Sequence, residues 1–436
     1  MVRNGCGKKQ KNSGKRRKQY AVSAGLAAIG FSAACRAQTP GFYLVGETAG
    51  ANESSVHDIS YDGSLAVGYT GRSSGTSVER AYRWSVETGR VDATDPGLLP
   101  FNSFTGLSSD GMVVAGYMYP LSGGANLQSF VRYPGQPLTI LPLLPGYSRA
   151  YYPTRVSGNG MVLAGMCRGT GTPPPIRCFR WTATGGIQAI PYARAGDTLA
   201  LVHDISSDGT TIVGSSLSPA GGTTVPFKWR AQTGTIVLPS PTANAEAYGV
   251  SADGSIVVGR YDNPGEGTRA VYWDSQSQMH DLGSIAGSTT HSAECISDDG
   301  RIIGGSAGFE IGTTWQGFVW TVDAGMRPAA DYFAERGAPL PPDHEAVICN
   351  AVSGNGRVFG VRYRRPGQAA NVSAIAVLGV PCPADFNRDG GVDGSDVKAF
   401  FDPWASGLPI ADVNEDGGVD GEDVAYFFAA WETSTC

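Results

Sequence analysis

Apolar and polar positions recur in one repeated arrangement along most of the chain. From His57, "HDISYDGSLAVGY" sets a short strand-patterned run before an Asp-Gly turn and a second apolar run after it. The arrangement returns as "TGLSSDGMVVAGY", "TRVSGNGMVLAGM", "HDISSDGTTIVGS", "YGVSADGSIVVGR", "ECISDDGRIIGGS" and "NAVSGNGRVFGVR". A shared serine falls at Ser60, Ser108, Ser157, Ser206, Ser251, Ser297 and Ser353, at steps of 48, 49, 49, 45, 46 and 56 residues. Self-similarity at such a period marks a repeat architecture. Asn-Gly and Asp-Gly favour tight hairpins, because both residues tolerate the positive φ that matches the twist of the flanking strands.

Each copy continues alike. An aromatic-rich strand follows: "AYRW" to Trp84, "FVRY" to Tyr133, "CFRW" to Trp181, "PFKW" to Trp229, "AVYW" to Trp273 and "GFVW" to Trp320, whereas the seventh copy has "SAIAV". A Gly-led strand such as "TGRVDA" or "TGTIVLP" closes the unit. Four short antiparallel strands in about 48 residues are the sequence sign of a propeller blade. The chain is therefore expected to be all-β, with a seven-bladed β-propeller over residues 39–379. A single blade cannot bury its own apolar face, but a ring stacks sheet on sheet and leaves few open edges. The seventh copy stops near Val377 after its third strand, and an orphan strand, "GFYLVG", stands at Gly41 to Gly46 ahead of the first copy. That strand is expected to complete the last blade and close the ring.

Composition agrees. Gly is abundant (61 of 436 residues) and charge is low at 17 %, which suits short strands and tight turns. Aromatic and β-branched residues are too plentiful for a disordered chain.

The first 20 residues hold eight basic residues, and the apolar run "AVSAGLAAIGFSAA" follows from Ala21 to Ala34. A basic segment, a short apolar core and a small-residue end at "CRAQ" read as a signal peptide over residues 1–37. "SAAC" at Ser32 to Cys35 also resembles a lipobox, with Ser32 where a large aliphatic is expected, and "RRKQY" loosely resembles a twin-arginine signal. Removing residues 1–37 takes away nine basic residues and no acid, which moves the net charge from −6 to about −15. An acidic exported protein is a poor partner for nucleic acid. No later segment has the 18 consecutive apolar residues of a membrane span.

The repeats resemble the HAF family of extracellular repeats, whose units carry the signatures "IS.DG..vvG" and "AF.W". The resemblance spans residues 41–379 and implies export and repetition, with no activity attached. The last copy departs from it: Gly360 comes one residue early and the Trp is missing.

The repeats contain residue types that invite a catalytic reading. His57-Asp58 and His203-Asp204 stand at the same repeat position, just before the shared serine, and a His-Asp-Ser set suggests a hydrolase. The serine recurs in every copy, so it reads as scaffold that satisfies backbone groups, as do the turn acids Asp62, Asp110, Asp208, Asp253 and Asp299. The recurring tryptophans read as packing between blades. His280, His291 and His344 show no ligand spacing, and nothing local joins Glu335 to Glu345 as a glycosidase pair. No catalytic residue is assigned. The irregular loops "YPLSGGANLQ" from Tyr119, "RGTGTPPPIR" from Arg168 and "DYFAERGAPLPPDHE" from Asp331 are candidate binding loops or plain linkers.

Six cysteines remain after cleavage: Cys167, Cys178, Cys295, Cys349, Cys382 and Cys436. An even number in an exported chain permits disulfides, and six allow fifteen pairings. Cys167 and Cys178 flank a loop between expected neighbouring strands and are a candidate hairpin disulfide. Cys295 and Cys349 precede consecutive repeats and are a candidate link between blades.

The chain changes character at "GVPCPA", residues 379–384. "DFNRDGGVDGSDV" from Asp385 and "DVNEDGGVDGEDV" from Asp412 each set oxygen side chains at positions 1, 3, 5, 9 and 12 around a Gly-Gly turn. These are Asp385, Asn387, Asp389, Asp393 and Asp396, then Asp412, Asn414, Asp416, Asp420 and Asp423; Gly391 and Gly418 supply the position-7 carbonyls. Alternating oxygens around a sharp turn suit a hard cation with six to eight ligands, so two calcium ions are expected. Zinc prefers nitrogen or sulfur. Position 12 is Asp rather than the bidentate Glu of an ordinary EF-hand, and no entering helix is visible. After each loop, "DVKAFFDPW" and "DVAYFFAAW" place their aromatics on one helical face, and Pro403 is expected to kink or shorten the first helix.

Loop plus exiting helix, twice, resembles a dockerin over residues 382–436, similar to those at the C-termini of exported planctomycete-type proteins that end near a Cys. The resemblance implies a small α-helical module, residues 380–436, that folds on calcium and attaches its cargo to a cohesin-like or other surface scaffold protein. Familiar dockerins carry a Ser-Thr recognition pair at positions 10 and 11; this chain has Gly394-Ser395 and Gly421-Glu422. Dockerin-like pairs bring their ends together, so the resemblance also implies a Cys382–Cys436 clasp, which would contribute on the order of 4 kcal/mol by the loop-entropy argument. The sequence thus points to an exported, non-catalytic binding or display protein with an unidentified glycan or protein ligand. The alternative is a polysaccharide-degrading lyase or hydrolase delivered by its dockerin.

Overall fold

A computed structural model of the protein describes residues 38–46, 53–71, 79–120, 126–218, 222–308, 315–342, 346–364, 372–379, 394–408 and 418–433, with positions 384, 386, 392, 411 and 413. The leader, His344, Glu345, Cys382 and Cys436 lie outside these residues. So do the loop positions Asp385, Asn387, Asp389, Gly391, Asp393, Asp412, Asn414 and Asp416.

Apart from the short helix Ala329–Ala334, the regular elements described within residues 41–377 are all β-strands. The sequence repeat translates into a four-stranded antiparallel unit. Its inner strands are Glu53–Ile59, Phe101–Leu107, Arg149–Val156, Leu199–Ile205, Ala245–Val250, Thr290–Ile296 and Ala346–Val352. Three units are separate sheets, and two eight-stranded sheets each hold two units. Within each of those two sheets one parallel pair joins the two units, Ile176↔Leu199 in one sheet and Thr268↔Thr290 in the other.

The expected role of the orphan strand is what the fold displays. Gly41–Leu44 pairs antiparallel with Val372–Val377, in the register Gly41↔Val377 to Leu44↔Ala374. The N-terminal strand therefore becomes the outer strand of the C-terminal repeat. Ser373 Oγ donates to Ser54 O at 2.9 Å and accepts from Val56 N at 3.2 Å, which binds the last repeat to the first.

A circuit of main-chain bonds runs through the Asp-Gly turns. Tyr61 N donates to Ser109 O, Ser109 N to Gly158 O, Asn159 N to Ser207 O and Asp208 N to Ala252 O. Ala252 N donates to Asp298 O, Asp298 N to Gly354 O, and Asn355 N returns to Tyr61 O at 3.0 Å. The repeats form a closed ring.

Each turn is braced identically. Ser60 Oγ donates to Asp62 Oδ1 at 2.8 Å and accepts from Leu65 N at 3.0 Å, while Gly63 takes φ +75°. Ser108, Ser157, Ser206, Ser251, Ser297 and Ser353 repeat the bond to Asp110, Asn159, Asp208, Asp253, Asp299 and Asn355. The shared serine is scaffold.

The tryptophans of the third strands pack on the preceding repeat. Trp84 lies among Val358, Ile375 and Val377 of the last repeat, Trp229 against Val162 and Met166, and Trp273 against Val213 and Leu238. In the seventh repeat the tryptophan is replaced by Ala374 and Ala376, which are too small to fill that gap. The inserted segment from Asp331, a candidate binding loop, does so instead. It forms the helix Ala329–Ala334, and buried Phe333 packs 5.1 Å from the ring of Phe359. The insertion and the missing tryptophan are one compensating pair.

The described C-terminal residues include two helices, Gly394–Trp404 and Gly421–Thr433. Phe400 and Phe427, equivalent in the two copies, stack with centroids 4.4 Å apart. Phe386, Phe401, Trp404, Phe428 and Trp431 pack around them. The first helix ends one residue after Pro403. No helix among the described residues is long and apolar enough to cross a membrane.

The disulfide expectations for the repeats are corrected. Cys167, Cys178, Cys295 and Cys349 are buried free thiols. Cys167 is opposite Arg177 in the strand register, so Cys178, one residue on, points to the other face of the sheet. Cys178 joins the core between the third and fourth repeats, and Cys167 the core between the second and third. Cys295 and Cys349 do sit at one junction, but the Cys295 thiol is directed at Cys349 O, 3.8 Å away.

Candidate functional site

Every inner strand breaks its pairing register three residues before the shared serine. The breaks fall between Val56 and Asp58, Phe104 and Gly106, Tyr151 and Arg155, Val202 and Asp204, Ala247 and Gly249, Ala293 and Cys295, and Cys349 and Ala351. A bulge re-aims the side chain it carries. In every repeat but the second it turns the bulged residue, its successor or both toward the ring axis. The glycine of "vvG" follows from the same bend: a Cβ on Gly68 would lie 1.8 Å from Ser55 O on the bulged strand.

These residues line a polar axial cavity of about 110 Å³. His57 and Asp58 come from the first repeat, Arg155 from the third, His203 and Asp204 from the fourth, Tyr248 from the fifth, Glu294 and Cys295 from the sixth and Asn350 from the seventh. Tyr61, Ser109, Ser207 and Asp298, from the turn circuit, line it at the level of the Asp-Gly turns.

Two carboxylates are held alike. Asp58 Oδ1 accepts from Ile59 N at 2.8 Å and Oδ2 from Leu107 N of the next repeat at 2.7 Å. Asp204 accepts from Ile205 N at 2.8 Å and from Val250 N of the next repeat at 3.0 Å. Inner strands are sheet edges with amides turned to the axis, and a buried amide needs an acceptor. Between them, Arg155 donates Nε to His203 O at 2.8 Å and Nη1 to Thr105 O at 2.8 Å and His57 O at 3.2 Å. One guanidinium therefore ties the first, second and fourth repeats to the third.

Burial raises Asp58 to about 7 and Asp204 to about 6, against the pull of Arg155 and the amides. Burial lowers both His57 and His203 to about 4, and Arg155 adds to the effect. The imidazoles are therefore neutral near pH 7. His57 Nδ1 lies 3.0 Å from Phe104 O, and His203 Nε2 lies 3.0 Å from Ser215 Oγ. Glu294 is also raised by burial and accepts from Ser306 Oγ at 2.9 Å. Glu246 bonds Tyr248 and Arg260 nearby.

The His-Asp pairs are thus brought to one axis, whereas Ser60 and Ser206 point back into the turns and complete no His-Asp-Ser relay with them. His280 bonds Asp274 at 2.8 Å on an outer strand, His291 packs against Ser288, and Glu335 pairs with Arg327 and Arg336; none of these reaches the axis. Arg155, Tyr248, Glu294 and Asn350 were missed from sequence. The signal was present in the aligned repeats, where the two positions ahead of "[IVL]S" change chemistry from copy to copy.

Of the expected calcium ligands, four are described. Asp396 and Asp423, the twelfth loop positions, are buried at the starts of the two helices. Asp423 accepts from Val413 N at 2.9 Å and Asp420 N at 2.8 Å, which draws the second loop onto its helix. Asp420 caps Glu422 N at 2.8 Å, and Trp404 Nε1 donates to Asp420 O at 2.7 Å. Gly418 is described alongside them. A buried carboxylate at the same position of both copies, in an all-oxygen donor set, fits a hard cation. Asp396 would be the described ligand of the first loop's ion, and Gly418, Asp420 and Asp423 those of the second's.

A closed ring of four-stranded antiparallel sheets around a polar axis is a β-propeller. No family model matches the chain, and no curated protein matches it. Among solved structures it is similar to the β-propeller domain of the Trilobed protease from Pyrococcus furiosus, at 10 % identity and TM-score 0.49, covering 74 % of this chain and 95 % of that one. It is similar to oligogalacturonate lyase from Vibrio parahaemolyticus, at 12 % identity and TM-score 0.49, covering 79 % and 97 %. It is also similar to TolB from Acinetobacter baumannii, at 12 % identity and TM-score 0.41, covering 61 % of this chain and 64 % of that one, under two thirds of its length. Likeness at this level carries no functional argument.

Proposed function

We propose that the chain is an exported binding protein, a seven-bladed β-propeller over residues 39–379 that takes a small polar ligand at its axis. A signal peptide, residues 1–37, directs its export. A dockerin-like module, residues 380–436, binds two calcium ions and holds it on a cohesin-like or other surface scaffold protein.

One contrast carries the binding reading. The serine and the turn acid or amide are alike in every copy, while the bulged residue and its successor range over His-Asp, Thr-Gly, Thr-Arg, Tyr-Gly, Glu-Cys and Asn-Ala. A uniform scaffold with a varied inner rim is how a repeat fold acquires a ligand site. The rim favours binding over catalysis. Both oxygens of Asp58 and Asp204 are taken by amides, and Arg155 is taken by carbonyls. These are fixed donors and acceptors rather than a proton relay.

The alternative, a polysaccharide-degrading lyase or hydrolase, draws on Glu294 and Asp298, acids at the same cavity with fewer bonds. Release of new reducing ends or unsaturated sugars by the mature chain would favour it.

The anchor is tested by proteolysis. Arg388 and Lys398 are tryptic sites within and just after the first loop. Calcium added to the EDTA-treated mature chain should protect both from trypsin; equal cleavage with and without calcium would sink the calcium-dependent module.

A further inference from the structure

The residue after the shared serine is Tyr61, Ser109, Gly158, Ser207, Ala252, Asp298 and Gly354 in turn, and all but Ala252 line the axial cavity. Tyr61 is the one bulky member. It is 51 % exposed, so the cavity opens to solvent beside its ring. Two glycines let longer neighbours converge there. A Cβ on Gly354 would lie 2.8 Å from Asp298 Oδ2 and closer still to the Tyr61 ring, so aromatic and carboxylate stand side by side where that Cβ would be. A Cβ on Gly158 would lie 2.8 Å from Ser207 Oγ and closer still to Ser109 Oγ. Ser207 Oγ donates to Asp298 Oδ1 at 3.1 Å, past the intervening fifth repeat. Among the described residues, the Tyr61 hydroxyl, Ser109 Oγ and Asp298 Oδ2 make no hydrogen bond, and none of the three is shut off from solvent. The mouth thus sets an unspent aromatic ring beside unspent oxygens.

We infer that this mouth of the axial cavity receives a primary alkylammonium group, with its charge against Asp298, its N–H donors directed to Asp298 Oδ2 and Ser109 Oγ, and its methylene stem along the Tyr61 ring. This names a ligand class for the axial-binding reading above and rests on it. The cavity, about 110 Å³, is small beside the roughly 300–1,000 Å³ of a pocket that engulfs a drug-sized ligand, so it admits an end group. An ammonium has donors and no acceptor, which suits a mouth whose unspent polar atoms are oxygens. The ring beside the carboxylate adds attraction for a cation. The charges agree. Asp58, Asp204, Glu294 and Asp298 line the cavity against Arg155. Arg260 and Arg362 act on Glu294, and Arg260 is already paired with Glu246 at 2.7 Å. None of these arginines acts on Asp298: burial raises its carboxyl, the Ser207 bond opposes the rise and Asp299 adds to it. A bound cation would be its first positive partner, whereas a neutral saccharide stacked on Tyr61 would leave that charge unmatched. A metal ion suits the mouth less well. Among the described residues no three His, Cys, Asp or Glu side chains gather to hold one, and the ring supplies it no ligand.

The test uses the mature chain and four probes in titration calorimetry: cadaverine, Nα-acetyl-lysine-N-methylamide, its Nε-acetyl counterpart and cellotriose. Both amines should bind. Nε-acetylation, which keeps the stem and removes the charge, should weaken binding by about tenfold or more. The tighter amine tells the source, cadaverine for a free amine and the lysine derivative for a side chain of a partner protein. Asp298→Asn, which can keep the Ser207 bond, should weaken amine binding by about tenfold. Tyr61→Leu should weaken it by about two- to fivefold, and Tyr61→Phe, which keeps the ring, should recover that loss. In the unmodified protein the Tyr61 ring protons should show magnetisation transfer to the methylenes of the bound amine, a readout independent of how the variants fold. Binding of neither amine, equal binding of the Nε-acetyl form, parent-like affinity in folded Asp298→Asn, or no transfer from Tyr61 would overturn the inference. Binding of cellotriose alone, with shifts of the Tyr61 and Asp298 amides, would overturn it while leaving an axial ligand site standing.

Discussion

Asp58 reaches out of its own repeat to the amide of Leu107, 2.7 Å away in the next, while its other oxygen holds Ile59. A side chain at the centre of the ring is therefore a joint between neighbours. Asp204 repeats the device three units on, and Arg155 lies between them. The axis is both the candidate ligand site and a structural hub, which gives it measurable signatures.

The first is a pair of opposed pH dependences. Asp58 and Asp204 have folded values, about 7 and about 6, above the ordinary 3.8. Their contribution is complete below about 4 and is lost as pH rises through 6 to 7. His57 and His203, at about 4, lie below the ordinary 6.5, so their contribution is present above 6.5 and is lost as pH falls toward 4. Urea midpoints of the Asp58→Asn/Asp204→Asn variant should fall from pH 7 to pH 4. Those of His57→Asn/His203→Asn should rise over the same range. Slopes of the same sign in both variants would contradict the assignment.

Removing the Arg155 guanidinium strands three carbonyls and leaves two buried carboxylates without their shared cation. Arg155→Met should cost about 2–4 kcal/mol in urea unfolding. Arg155→Lys should recover only part of this, since an ammonium lacks the planar fork that reaches three carbonyls. A midpoint unchanged in Arg155→Met would show that the cross-brace contributes nothing.

Phe333 substitutes for the tryptophan missing from the seventh repeat. Phe333→Ala should cost about 3–4 kcal/mol, the range for emptying a buried aromatic site, and Phe333→Leu clearly less. Thermal melts of the two variants decide between this and a dispensable surface loop, for which both would melt like the parent.

The scaffold was legible because it is written seven times. The serine, the Asp-Gly turn, the glycine of the second strand and the aromatic of the third answer to local needs: a braced hairpin, a close backbone approach and a packing partner. Even the orphan strand at Gly41–Leu44 could be assigned, since a seventh unit short of its outer strand left one vacancy. The disulfides were not legible. Whether Cys167 and Cys178 face each other depends on a one-residue register that places Cys167 opposite Arg177.

The axial site was hidden for a related reason. His57 and His203 are 146 positions apart, and both sit beside a residue common to all copies, so their chemistry reads as part of the scaffold. The amino-acid order determines the period, the turns and the strand faces, because each depends on neighbours within a few residues. It does not determine that bulges in the inner strands turn side chains to the axis, nor that ring closure brings Asp58, Arg155, Asp204 and Asn350 around one cavity. Those are decided by tertiary structure, since only the closed circuit from Tyr61 back through Asn355 puts residues some 300 positions apart within reach of a single ligand.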